Sequence, residues 1–139
     1  METEKPDQFD TFMPRREAAS NDYIRGDAQG LSAMLTEQDP ATFMPPGGAV
    51  LEGAAAVKTA QVEGATAFGP RSSGHFEVLN SASSGDLAFW TGWQIATMDI
   101  KGQNQPVPMA LRTTEVFRLE NGHWKLAHRH ADIPAAPKD

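Results

Sequence analysis

The sequence contains no cysteine, only one tyrosine, and no uninterrupted apolar run near the roughly 20 residues of a membrane span. Without thiols it forms neither disulfides nor thiolate metal sites, and a cysteine nucleophile is excluded. It is also short of positive charge. Twelve Lys and Arg stand against 18 Asp and Glu, a formal net charge of −6. Binding to phosphate backbones relies on clustered cations and the counterions they release, so nucleic acid is not an expected partner, and neither is a membrane. The opening METEKPDQFD has no basic n-region and no apolar h-region. No Sec-type export signal is read there, and the cytoplasm is the expected compartment.

What is present is ordinary for one globular domain: 139 residues, 40% hydrophobic and 22% charged. A chain of this size buries enough apolar surface for a single core. No repeat or second domain is visible. Residues 1–10, and 134–139 with Pro134 and Pro137, read as flexible tails.

The first half carries helical signals. Ala18, Ala19, Tyr23 and Ile24 recur at helical spacing over residues 14–25, and Gly26 supplies a stop. Asp27 is placed to cap a second short helix over residues 28–35, with Leu31, Met34 and Leu35 as its buried stripe. Thr42, Phe43 and Met44 read as a short strand, turned back by Pro45-Pro46-Gly47-Gly48 onto an extended Val50-Leu51. A third helix is predicted over residues 54–68, ended by Gly69-Pro70.

The second half changes period. Four long strands are predicted over residues 75–82, 86–100, 106–119 and 124–133, joined by Ser-Ser-Gly, Lys-Gly-Gln-Asn and Glu-Asn-Gly turns. An antiparallel meander this long must twist and coil, and the three helices are the natural filling for its hollow. The expected fold is α+β: a cone of three N-terminal helices packed in a curved antiparallel sheet.

Four segments carry a family likeness that spans Arg16 to Pro134. They are the helix pair around Gly26-Asp27, residues 41–48 with Gly53 after them, residues 112–119, and the ending Gly-His-Trp-Lys-Leu-Ala-His-Arg-His over 122–130. These resemble the SnoaL-like, ketosteroid isomerase-like members of the nuclear transport factor 2-like superfamily. The resemblance implies the cone and a pocket within it. It also implies kinship with steroid isomerases, polyketide cyclases, dehydratases and the association domain of calmodulin-dependent kinase. The isomerase roles do not all carry over: the base position falls on Pro45, which accepts no proton, and the phenol position on Ala19. Glu115 occupies the place of the second acidic donor.

The candidate catalytic residues are Glu115, which shares a strand face with Leu111, Thr113 and Phe117 and is expected to be buried, His128 and His130. The two histidines are two apart on a strand, so they share a face, and the apolar Trp124 and Leu126 set that face inward by alternation, with Lys125 and Arg129 opposite. Inward imidazoles beside a carboxylate suit general acid–base work. The alternative is that the histidines bond each other, a carbonyl or Glu115 and line a polar seam of the core. The same residues, with Asp132, are the ligand types of a two-histidine, one-carboxylate metal site, but one short spacing is a weak motif, and neither metal nor cofactor is expected.

Tyr23, Phe43, Met44, Phe76, Trp90, Trp93 and Thr113 are the candidate ligand-binding residues. They belong to an apolar lining suited to a small apolar or amphipathic molecule. Trp90 and Trp93 cannot face the same side of a regular strand, so one points out. On the outer face, near Gln94, Met98 and Arg112, that Trp suits a homodimer through the convex sheet. Two functions follow as expectations: an isomerase-, cyclase- or dehydratase-like enzyme moving a proton on a carbonyl or hydroxyl compound, or a non-catalytic ligand-binding or dimeric association module.

Overall fold

Period 3.6 in the first half and period two in the second become three helices followed by a long sheet. The computed structural model describes residues 7–138. Helix α1 (Phe9–Ile24) leads to α2 (Gln29–Met34), the short strands β1 (Thr42–Met44) and β2 (Leu51–Glu52), and α3 (Ala54–Gly64), which runs into a 3-10 turn, Ala65–Ala67. The meander follows as β3 (Ser73–Ser84), β4 (Leu87–Met98), β5 (Val107–Glu120) and β6 (His123–Asp132). The six strands lie in the order β2-β1-β6-β5-β4-β3, antiparallel except where β1 runs parallel to β6. This is the α+β arrangement read from the sequence. No described helix is long and apolar enough to cross a membrane.

Helix α1 begins upstream of Pro14, where the sequence placed its start. As the sixth helical residue, Pro14 lacks an amide for the Asp10 carbonyl and crowds it, at a cost of about 3 kcal/mol. Phe9 and Phe12 outweigh it: both are buried, their rings 5.4 and 5.2 Å from the ring of Phe117. Burial of a Phe is worth about 1.5–3 kcal/mol. The capping expected of Asp27 is present, its Oδ1 accepting the Gln29 amide at 3.0 Å. Asp39 caps α3 in the same way, accepting the Ala54 amide at 2.7 Å.

Of the expected tails, residues 1–6 and 139 lie outside the described residues. Asp7 is held: its amide donates to the Gly122 carbonyl and its own carbonyl accepts the Trp124 indole N–H, both at 2.9 Å. At the other end Lys138 pairs with Glu77 at 3.1 Å and lies 5.7 Å from the centroid of the Trp93 ring.

Two bulges shape the sheet. One interrupts the β3–β4 register between Val78 and Asn80, and the other the β5–β6 register between Val116 and Phe117. At the first, a Cβ on Gly92 would collide with the carbonyl of Glu77. Only glycine lets the two backbones approach so closely. The second bulge changes which β6 side chains face the hollow, and the site depends on it.

Candidate functional site

On α1, Arg16, Ser20 and Tyr23 extend the buried stripe of Phe9 and Phe12 toward the wide end of the cone, at spacings of four and three residues. On the sheet, alternation brings Trp90 and Gln94 of β4 and Leu111 and Glu115 of β5 to the inner face. From β6 comes Arg129. Across the bulge Phe117 pairs with Leu126 but Val116 with His128, leaving Ala127 as the extra residue. One extra residue in a period-two strand exchanges the two faces beyond it. Trp124 and Leu126 therefore point inward before the bulge, and Arg129 and Ala131 after it.

These side chains meet in a buried ionic cluster. Glu115 is fully buried and accepts four hydrogen bonds: from Arg16 Nε (2.9 Å) and Nη2 (2.7 Å), from Arg129 Nη1 (2.7 Å) and from the Trp90 indole (2.8 Å). The second Arg129 amino group donates to the Gln94 side-chain oxygen, and the Gln94 amide donates to Ser20 Oγ at 3.3 Å. Burial by itself would push the Glu115 carboxyl up. The charges of Arg16 and Arg129, with the hydrogen bonds from Arg16 and Trp90, overcome it and bring the pKa down to about 2. Burial lowers Arg129 from its ordinary value against the pull of Glu115, yet an arginine starts so high that it stays charged. Tyr23 is raised by burial, with Arg129 and Arg16 opposing.

Beyond the cluster the hollow is unfilled. A cavity of about 380 Å³ is bounded by Arg16, Ser20, Tyr23, Gln61, Gln94 and Arg129 at its polar positions. Ile24, Leu31, Phe43, Leu51, Phe68, Met98, Met109 and Leu111 form most of its apolar wall, with Pro45 and Pro46 beside them. Gly64 admits the tyrosine: a Cβ there would stand 2.5 Å from the Tyr23 hydroxyl. A wider depression of about 860 Å³ lies elsewhere, where α2 and α3 meet the β5–β6 turn. Charged side chains such as Glu37, Lys58, Glu120 and Lys125 line it. It is open and of mixed charge, unlike the enclosed apolar hollow expected of a ligand site.

The structure brings Glu115 inside as read, but separates it from the two histidines. His128 and His130 stand on the outer face because of the bulge at Ala127, and Arg129, assigned outward by simple alternation, takes the inner place beside Glu115. His128 Nδ1 bonds Thr42 Oγ1 at 2.7 Å. Burial first, then His130, lowers its pKa, with Glu115 opposing. His130 is exposed, 3.6 Å from Asp132, whose main partner is Arg112 at 2.6 Å. Glu115 and the histidines thus do not converge on a metal, and among the described residues no group of three His, Asp or Glu does.

Of the expected ligand residues, Tyr23 and Phe43 line the cavity. Trp90 points inward but is covered, stacked on Phe76 at 4.4 Å and committed to Glu115. Thr113 is buried with its hydroxyl on the Leu111 carbonyl at 3.3 Å, outside the cavity lining. Met44 is also outside the lining. Trp93 is the outward tryptophan, paired across the sheet with Arg112. Gln94 and Met98 do not flank it, since both are buried on the inner face. Sequence reasoning missed Arg16, Ser20, Gln61, Gln94 and Arg129. Arg16 had a legible signal, a lone cation within the Phe9-Phe12 stripe. Arg129 had none, because a bulge leaves no composition mark.

The comparison with curated proteins yields no match. Solved structures do match. A nuclear transport factor 2-like protein of Streptomyces avermitilis, named as a candidate dehydratase, shares 22% identity over 93% of this chain and 95% of its own, with a TM-score of 0.76. A nuclear transport factor 2-like protein of unknown function from Pseudomonas putida KT2440 is 18% identical over 93% of this chain and 86% of its own, at 0.72. A candidate calmodulin-dependent kinase II association domain from Thiobacillus denitrificans is 22% identical over 96% and 99%, at 0.64. At such identities the likeness shows the fold alone. The family model described as the SnoaL-like domain matches residues 17–136, nearly the whole described chain, and the protein therefore belongs to the SnoaL-like family.

Proposed function

We propose that this protein binds a small, largely apolar molecule inside its cone and acts as a ligand-binding protein rather than a general acid–base enzyme of the isomerase kind. The observation that carries this reading is the chemistry of the cavity wall. It is mostly apolar, and its polar positions are arginine, glutamine, serine and tyrosine, with no carboxylate or imidazole among them. Proton abstraction near neutral pH needs a free base at the reacting atom. Glu115 lies behind Arg16 and Arg129 with its pKa at about 2, a poor base, and Pro45 lines the wall where the isomerases keep theirs.

The test is binding of N-phenyl-1-naphthylamine, a neutral apolar fluorophore, to the wild-type chain and to Ala60→Phe, which puts a ring into the cavity from half-buried α3. Saturable binding by the wild type, weakened about ten-fold or more in the variant at unchanged thermal midpoint, is expected. A wild type that does not bind the probe would sink the reading.

A second reading, a homodimer through the outer sheet face, has one favouring observation. Trp93 stands on that face beside Leu79, which is 72% exposed, and both border a shallow groove with His130. Aromatic and apolar groups on a sheet surface suit a symmetric interface. Light scattering at micromolar concentration should give twice the chain mass, and Trp93→Glu the single mass.

A further inference from the structure

The buried cluster does not balance. Two guanidinium groups, Arg16 and Arg129, share one carboxylate, Glu115; the carboxylate is fully buried, and the arginine side chains are only 3% and 11% exposed. No aspartate or glutamate lines the adjoining cavity, whereas both arginines do. A buried net positive charge is costly, and stable interiors pair such charges. The hydrogen bonds fall short in the same place. Arg16 commits Nε and Nη2 to Glu115, which leaves the Nη1 edge over. Nη1 is the single fully buried side-chain nitrogen or oxygen, among the described residues, without a hydrogen-bond partner. Buried N–H groups are almost always satisfied, and an orphan on a cationic group is rarer still.

Charge and hydrogen-bond count therefore identify the same missing group: an acceptor carrying one negative charge. We infer that the cavity is built for a small apolar molecule ending in a carboxylate or similar monoanionic oxygen group, held at the Arg16–Arg129 end with its apolar body against Phe43, Phe68, Met98 and Leu111. The inference rests on the pocket being a ligand site and specifies which ligands it takes. Arginine suits the role because its planar fork can bind one carboxylate along one edge and a second acceptor along another. Serine and glutamine complete the polar end, since Ser20 and Gln94 reach the same wall. The volume sets the size: about 380 Å³ holds about a dozen groups the size of a water molecule, at ~30 Å³ each.

The decisive experiment compares 4-phenylbutyrate with 4-phenylbutanamide. The two have the same carbon skeleton and the same shape, and differ in charge. Dissociation constants are read from the tryptophan indole N–H resonances of the wild-type chain, because Trp90 bonds Glu115 directly. The carboxylate is expected to bind about ten-fold or more tighter than the amide, the usual margin of a charge-assisted over a neutral hydrogen bond. Arg16→Met should reduce that ratio to about two-fold or less, and Arg16→Lys should restore part of it. Equal binding of the two probes, or tighter binding of the amide, overturns the inference and leaves the pocket reading standing. Failure of both probes to bind at millimolar concentration removes the pocket reading itself. A full carboxylate preference in a folded Arg16→Met also overturns the role of Arg16. Should both Arg16 variants fail to fold, the wild-type ratio still decides.

Discussion

The two ends of the cone are filled by opposite means. At the end made by the β5–β6 turn, Phe9, Phe12, Phe117 and Trp124 interlock with ring centroids 5.2–6.1 Å apart and leave little room between them. At the other end, where β4 and β5 carry Ala96, Met98, Met109 and Leu111, the same concave face supports a cavity. The buried ionic cluster separates the two. Trp90 and Phe76 stack against it on one side, and the cavity begins at Arg16 and Arg129 on the other. Helices over a curved sheet thus give a closed, rigid end that carries stability and an open end free to carry function.

That division is open to attack. The largest effect is expected from Phe117→Ala at the closed end, a loss of about 3–5 kcal/mol read by urea denaturation, because the ring is fully buried against two others. Met109→Ala on the half-buried cavity wall should cost about 1 kcal/mol at most, since an existing void only enlarges. Equal costs would erase the distinction between the ends. Glu115→Gln comes next: it leaves two buried guanidinium groups without their counter-charge and should destabilise by about 3 kcal/mol.

Acid titration probes the same cluster more gently. The Glu115 pKa, about 2 in the fold, lies below that of an unfolded carboxyl. Between the two values the unfolded chain takes up a proton that the fold excludes, so stability drops as pH falls from about 5 toward 2, by about 3 kcal/mol in total. The difference between wild-type and Glu115→Gln urea midpoints should shrink across that window; a constant difference would contradict the assigned ionisation. The smallest effect is expected from His130→Ala, within about 0.5 kcal/mol and without change in probe binding, because His130 is exposed on the outer face. A large loss of binding in that variant would restore an inward role for the histidines.

Much of the fold was legible because its signals are local. Turn residues such as Gly26, Pro45-Pro46-Gly47-Gly48 and Asn121-Gly122 mark ends wherever they occur, and the change of period between the halves follows from side-chain direction alone. Glu115 was likewise legible as a buried carboxylate, since the alternation of Leu111, Thr113 and Phe117 continues unbroken through it. Phe9 and Phe12 were less so, because the value of their rings lies in Phe117 and Trp124, over a hundred residues away in the chain.

From the sequence alone came the α+β order of elements, the inward Glu115, the family, and the mismatch at Pro45 and Ala19 with the isomerase machinery. Tertiary structure alone decided which partners Glu115 has. One extra residue at Ala127 moves the histidines out and Arg129 in, and Arg16 arrives from a helix 99 residues away in the chain. Strand alternation is a property of neighbouring residues and can be read locally. A bulge is settled by how two strands and the helix over them pack together, and no local pattern of residues records it.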